Sequence, residues 1–131
     1  MAADDGKILV DTSVWVDFFA GDEPVARTLR PLLMARRVVM CGQVMQEVLQ
    51  GTRDANALTK MEHQMAMWPY EAETPIDFVE AARIYARLRW KGVTVPSADC
   101  LIAALAKRCG LAVYATDPHF ARIPDLRLLD A

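Results

Sequence analysis

The sequence predicts an α/β protein, a three-layer α/β/α sandwich around a central, mainly parallel sheet. Two observations carry this. Short apolar runs without alternation, Ile8-Leu9-Val10 above all, read as strands covered on both faces. Segments with apolar residues at helical spacing recur between them, and strands alternating with helices imply parallel pairing through right-handed crossovers. At 131 residues, 53% hydrophobic and 24% charged, the chain reads as one domain, 1–131, with a flexible tail at 1–6 and enough apolar material for a core.

Each element follows from local chemistry. The opening strand ends at Asp11, and TSVWVDFFAG then offers Thr12 or Ser13 as a helix cap, Val14, Trp15, Phe18 and Phe19 at helical spacing, and Gly21 as a stop. In DEPVARTLRPLLMARR, Asp22 is the next cap and Pro24 falls in the first turn, where a missing N–H is harmless. Leu29, Leu32 and Leu33 share a face of that segment, whereas Pro31 argues against one straight helix. RVVMC (37–41) reads as the second strand, and GQVMQEVLQG (42–51) as a short helix with Val44, Val48 and Leu49 toward the core and Gly51 at its end. ANALTKMEHQMAMW places Leu58, Met61, Met65 and Trp68 at helical spacing before Pro69, and YEAE after it is a weak strand candidate. From Pro75 to about Lys91 a long helix carries Phe78, Ala81, Ala82, Tyr85 and Leu88 on one face, with Arg83 and Arg87 together on another. PSADCLIAALAKRCG is the clearest helix, with Ser97 as cap, Asp99 in the first turn, Lys107 and Arg108 in the last, and Gly110 after it. LAVYATD repeats the opening pattern, an apolar strand followed by Thr116 and Asp117, and LRLLD adds a candidate final strand.

The totals narrow the functional classes. Met1–Gly6 holds two aspartates and no apolar segment, and no run approaches the length of a membrane span, so no membrane role and a cytoplasmic location are expected. Cys41, Cys100 and Cys109 form no C-x-x-C pair and read as reduced, small buried side chains. His63 and His119, far apart and unpaired, supply no zinc cluster and read as structural or surface residues.

Four acids stand out. Ligands in open α/β sheets bind outside the carboxyl ends of the strands, and Asp11 and Asp117 each follow a strand. Asp99 opens a helix, and Glu47 lies in the middle of the helix after the second strand. Singly, each has an ordinary reading as a cap, a favourable helix-terminus charge or a solvated side chain. Together in one crevice they repel, by roughly 3 kcal/mol per pair at about 5 Å and an effective dielectric of 20. No lysine or arginine adjoins Asp11 or Asp117 in sequence. A divalent cation resolves the repulsion, and oxygen-only donors select Mg²⁺ or Mn²⁺, which activates water for attack on a phosphodiester. Thr12 and Ser13 then either cap the helix or orient Asp11 or a substrate phosphate. The formal charge of −2 does not exclude RNA, because setting the four acids aside leaves +2.

In order along the chain, ILVDTSVWVDFF, QEVLQG, SADCLIAALA and YATDPHFARIP resemble the motifs of the PIN-domain ribonucleases, and specifically of VapC-type toxins of bacterial toxin-antitoxin modules. The resemblance covers nearly the whole chain. It implies a PIN-like fold, with Asp11, Glu47, Asp99 and Asp117 as catalytic, metal-binding residues; Thr12, Ser13, Thr116 and Arg87 are the candidate substrate-orienting residues. It further implies Mg²⁺- or Mn²⁺-dependent cleavage of structured RNA such as tRNA by in-line attack of water, leaving 3′-hydroxyl and 5′-phosphate ends. A homodimer neutralised by a VapB-like antitoxin is implied as well. The chain departs from some relatives two residues after Asp117, where they place a further acid and it has His119. That leaves Asp117 either a direct or a water-mediated ligand.

Two other functions remain as alternatives. An aspartate-based phosphatase of the haloacid-dehalogenase kind resembles DxDxT after the first strand, but here residue 13 is serine and residue 15 tryptophan. A catalytically silent PIN-like module that only binds its antitoxin would lack working acids, yet all four are present. For substrate contact, Arg83, Arg87, Arg89 and Lys91 with Trp90 form either a basic rim with an aromatic for base stacking or a solvated helix face with Trp90 on the core.

Overall fold

In the computed structural model, which describes residues 6–129, the run Ile8-Leu9-Val10 forms strand β1 (Ile8–Val10) with every side chain buried. Of the expected tail, only Gly6 falls within the described residues. β1 lies in the middle of a parallel sheet, between β2 (Val38–Val39) and β3 (Ala112–Tyr114), in register Ile8↔Val38 and Leu9↔Val113. The expected second strand is therefore shorter than residues 37–41, with Met40 making only a single bridge to Tyr70. YEAE contributes nothing more to the sheet, and of LRLLD only Leu128 bridges, to Val113, while Asp130 lies outside the described residues.

Two helices, α1 (Thr12–Phe19) and α2 (Glu23–Met34), cross from β1 to β2. Four more, α3 (Gly42–Gln50), α4 (Ala55–Met65), α5 (Pro75–Trp90) and α6 (Ser97–Cys109), lead from β2 back past β1 to β3. The chain thus steps one way from β1 to β2 and the opposite way to β3. Right-handed crossovers then put the two sets of helices on opposite faces, which is the expected three-layer α/β/α class. The reversal also opens a crevice at the carboxyl ends of β1 and β3. In α6 the run Cys100–Ala106 is buried all round, as its Ala/Leu-rich body predicts for a helix at the centre of the molecule. It ends at Gly110, whose φ of 67° is open to glycine without strain. Cys41 and Cys100 are buried free thiols, and Cys109 is half-buried.

The structure corrects several local readings. The cap of α1 is Asp11 itself, not Thr12 or Ser13, and α6 starts after Pro96, which makes Ser97 its first residue rather than its cap. Pro31 sits inside α2, where it removes the helical N–H partner of the Arg27 carbonyl, and Arg27 is an exposed residue. Leu58 and Phe78, both expected in the core, are exposed, and so is Ala82. The buried line of α5 is Asp77, Ala81, Ile84 and Leu88. Its orientation is set by a bidentate ion pair, Arg108 Nε to Asp77 Oδ1 at 2.7 Å and the guanidinium to Oδ2 at 2.9 Å. The same carboxylate accepts from the backbone N–H of Thr74 at 2.8 Å. A buried aspartate held by α6 overrides the apolar periodicity of α5, since leaving it unpaired would cost more than exposing Phe78.

A candidate metal centre at the carboxyl ends of β1 and β3

Asp11 is the residue at which β1 becomes α1. Its backbone N–H donates to the Tyr114 carbonyl at 2.8 Å, tying the end of β1 to β3. Its carboxylate Oδ2 accepts from Ser13 N at 3.1 Å and Ser13 Oγ at 2.7 Å, so the helix cap and the strand-end acid are one group. Ser13 Oγ in turn accepts from Thr116 N at 3.1 Å, and Thr116 Oγ1 donates to Asp17 Oδ2 at 2.8 Å. These bonds stitch the loop after β3 onto α1, which brings Asp117 to the mouth of the crevice. Thr12, Ser13 and Thr116 therefore all serve the local architecture of the acids.

Asp99 enters from the first turn of α6. His119, which starts a 3-10 turn (His119–Arg122) anchored by the buried Phe120, places Nδ1 3.1 Å from Asp99 Oδ2 and 3.4 Å from Asp117 Oδ1. Asp117 Oδ1 also accepts from His119 N at 2.9 Å. One donor atom from each of Asp99, Asp117 and His119 lies within 4.8 Å of the others. His119, expected as a structural or surface residue, keeps a side chain 39% exposed, and the structure adds that its Nδ1 lies beside two carboxylates. The available sequence signal was its spacing, two residues after an acid that follows a strand, across a turn that begins at Pro118.

Glu47 takes a more peripheral place. Thr12 Oγ1 donates to Glu47 Oε1 at 3.1 Å, so this acid is tied to the neighbour of Asp11 and edges a cleft of about 470 Å³ that Trp15, Phe19 and Met61 also line. Its helix α3 has no side-chain cap of its own from Cys41. Instead Glu73 accepts from Gly42 N at 3.0 Å and Gln43 N at 2.7 Å, a cap 31 and 30 residues away that local reading of the sequence does not reveal. Arg87 is exposed on α5, and among the described residues no hydrogen bond or ion pair joins it to the acids. Trp90 beside it is 79% exposed rather than packed on the core.

Electrostatics favour a cation. Asp11 is only 3% exposed, and burial pushes its carboxyl upward against the hydrogen bonds from Ser13, with the Asp117 charge adding to the rise. Asp99 is pushed up to about 6, first by burial and then by the charges of Asp11 and Asp117, with His119 opposing. Among the described residues no lysine or arginine forms an ion pair with Asp11, Glu47, Asp99 or Asp117. Carboxylates of which Asp11 and Asp99 are pushed upward, served by one imidazole and by no lysine or arginine ion pair among the described residues, are a donor set that fits a divalent metal.

A stability test follows from Asp99. Its carboxyl holds a proton more tightly folded, at about 6, than at the ordinary 3.8. That advantage to the fold is complete below about pH 4 and is lost as pH rises through 6. Asp77, lowered chiefly by the Arg108 hydrogen bonds, stays ionised throughout this window. In EDTA the protein is therefore expected to be more stable at pH 5 than at pH 8, by about 1 kcal/mol from Asp99 alone. Mn²⁺ is expected to raise the thermal midpoint at pH 8. Melts in EDTA that are no more stable at pH 5 than at pH 8 would contradict the crowding.

Comparison with known proteins adds a family. A family model described as the PIN domain matches residues 8–126. Ribonuclease VapC11 of Mycobacterium tuberculosis is 41% identical over 128 residues, which cover 92% of this chain and 96% of that one. Among solved structures, a DNA-bound VapBC from Salmonella typhimurium superposes with a TM-score of 0.78 at 24% identity, over 95% of this chain and 98% of that one. VapC20 of Mycobacterium tuberculosis, described as a sarcin-ricin-loop-cleaving toxin, gives 0.67 at 20% identity over 92% and 99%. At such identities the two structures show likeness of fold alone.

Proposed function

The chain belongs to the PIN domain family, and from that premise we propose that it is a metal-dependent endoribonuclease, the toxin of a toxin-antitoxin pair. The observation that carries the reading is the clustering of Asp99, Asp117 and His119 within 4.8 Å beyond β3, with buried Asp11 at the end of the neighbouring β1 and no lysine or arginine ion-paired to these acids among the described residues. Its support in kind is the 41% identity to a ribonuclease named VapC11. Neither sequence-level alternative, the aspartate-based phosphatase or the silent module, is favoured by this match.

Mg²⁺ or Mn²⁺ held by these acids supplies a polarised water and charge stabilisation for in-line attack on a phosphodiester. Asp11 and Asp99 hold the cation, and their rigid placement at a strand end and a helix start fixes where the scissile phosphate sits. Asp117 closes the donor set from the loop after β3. Glu47, held by Thr12 next to Asp11 in the chain, would orient water or a second cation. Ser13 and Thr116 hold Asp11 and the Asp117 loop in register. The exposed group Arg87, Arg89, Trp90 and Lys91 offers charge and a stacking surface for RNA beyond the cut.

The substrate we propose is a structured RNA, with tRNA foremost. The proposed partners are a VapB-like antitoxin and a second copy of the chain. Among the described residues no helix is long and apolar enough to cross a membrane, and we place the protein in the cytoplasm. The test is incubation of antitoxin-free protein with an end-labelled tRNA pool and a ribosomal RNA preparation in Mg²⁺, Mn²⁺ or EDTA. Discrete cuts that require the cation are the expected result. Intact RNA of both kinds together with no calorimetric binding of Mn²⁺ would overturn the proposal.

A further inference from the structure

We propose that His119 is itself a metal ligand, so that Nδ1 of His119 joins one oxygen of Asp99 and one of Asp117 in a mixed nitrogen-oxygen site that favours Mn²⁺ over Mg²⁺. This deepens the nuclease reading above and rests on it for the presence of a cation.

The donors converge: one atom from each of Asp99, Asp117 and His119 lies within 4.8 Å of the others, and the 3.1 Å Nδ1–Oδ2 contact is a hydrogen bond that a cation would replace. With metal–ligand bonds of about 2.1 Å, adjacent donors lie about 3.0 Å apart in an octahedral shell and about 3.4 Å apart in a tetrahedral one. The separations from Nδ1 to Asp99 Oδ2 and Asp117 Oδ1 are 3.1 and 3.4 Å. No large rearrangement is needed for all three to reach one ion. Asp99 is fixed on the buried start of α6, while Asp117 and the imidazole are fixed together, the first by the His119 backbone N–H at 2.9 Å and the second by the 3-10 turn whose Phe120 is buried.

The chemistry of the donors sets the preference. An all-carboxylate shell suits Mg²⁺, which demands oxygen and keeps its waters. An imidazole nitrogen is a softer donor that adds affinity for first-row transition ions and little for Mg²⁺. A neutral nitrogen in place of a further carboxylate also lowers the negative charge gathered in the crevice, easing the repulsion that raises Asp99. A histidine at this position is thus a selectivity determinant as well as a ligand.

The experiment uses Mn²⁺ and Mg²⁺ themselves as probes. Binding of each to the full chain is measured by calorimetry for the parent, His119→Ala and His119→Asp, and the Mn²⁺ complexes are examined by pulsed electron paramagnetic resonance. The expected result is a directly coordinated nitrogen in the parent that vanishes in both variants. In addition, His119→Asp is expected to shift the Mn²⁺ to Mg²⁺ affinity ratio toward Mg²⁺ by about tenfold. Mn²⁺ that binds the parent without coordinated nitrogen, with the ratio unchanged in His119→Asp, would overturn the ligand role and leave the nuclease reading intact. Weaker binding in the variants without coordinated nitrogen in the parent would reduce His119 to a group that orients Asp99, which also overturns the proposal. Absence of Mn²⁺ binding in the parent would remove the nuclease reading along with it.

Discussion

Asp11→Asn is expected to lower RNA cleavage by more than about 100-fold while leaving the protein folded, the loss corresponding to several kcal/mol of charge stabilisation at the scissile phosphate. The substitution suits the site because Asp11 has two duties. As the cap of α1 its carboxylate accepts from Ser13 N and Ser13 Oγ, and asparagine caps a helix as well as aspartate does. What asparagine lacks is the negative charge, which in the metal-free protein is a burden, since burial and Asp117 both disfavour it. The thermal midpoint in EDTA is therefore expected to stay level or rise, and Mn²⁺ is expected to raise it less than in the parent. Cleavage within threefold of the parent would remove Asp11 from the machinery. A large fall in midpoint would mean that the cap geometry, not the charge, is what the position supplies.

Trp15→Ala is expected to cost about 3–5 kcal/mol in stability. Trp15 is 1% exposed, stacks on Trp68 with ring centroids 4.9 Å apart and 8° between planes, and lies over Phe19 at 6.0 Å. It fastens α1 to the segment after α4 four residues from Asp11, so its loss removes a buried aromatic and loosens the helix that begins at the site. Trp15→Phe is expected to be much milder. The indole Nε1 is buried without a hydrogen-bond partner, and deleting an unsatisfied buried donor recovers part of the packing lost with the larger ring. Denaturant unfolding of the two variants checks both statements. A cost below about 1 kcal/mol for Trp15→Ala would contradict the core position of the ring.

Much of the fold was legible because its signals are local. Three unalternating β-branched or aliphatic residues fit a strand covered on both faces, and β1 is that strand, at the centre of the sheet. The Ala/Leu-rich body between Ser97 and Cys109 forms a helix buried all round. Where local pattern and distant partner competed, the distant partner prevailed. Phe78 and Ala82 keep the apolar spacing of α5, yet the helix turns Asp77 inward because Arg108, 31 residues on, neutralises it. Leu58 fits the stripe of α4 but is exposed beside half-buried Met61 and buried Met65.

The same division runs through the site. By itself the sequence determined that an acid ends the first strand, that another follows the third, and that a third opens the last long helix. Each of these placements depends only on propensities and caps within a few residues. The tertiary structure alone decided which groups share the crevice. It brought His119 to Nδ1 distances of 3.1 and 3.4 Å from Asp99 and Asp117, set Glu47 at the edge through Thr12, and supplied Glu73 as the cap of α3. These are contacts across 20 to 35 residues for Asp99, Glu47 and Glu73. Such contacts exist because strand order reverses between β1 and β3 and because buried carboxylates must find hydrogen bonds or a cation, and neither condition is written in any short stretch of the chain.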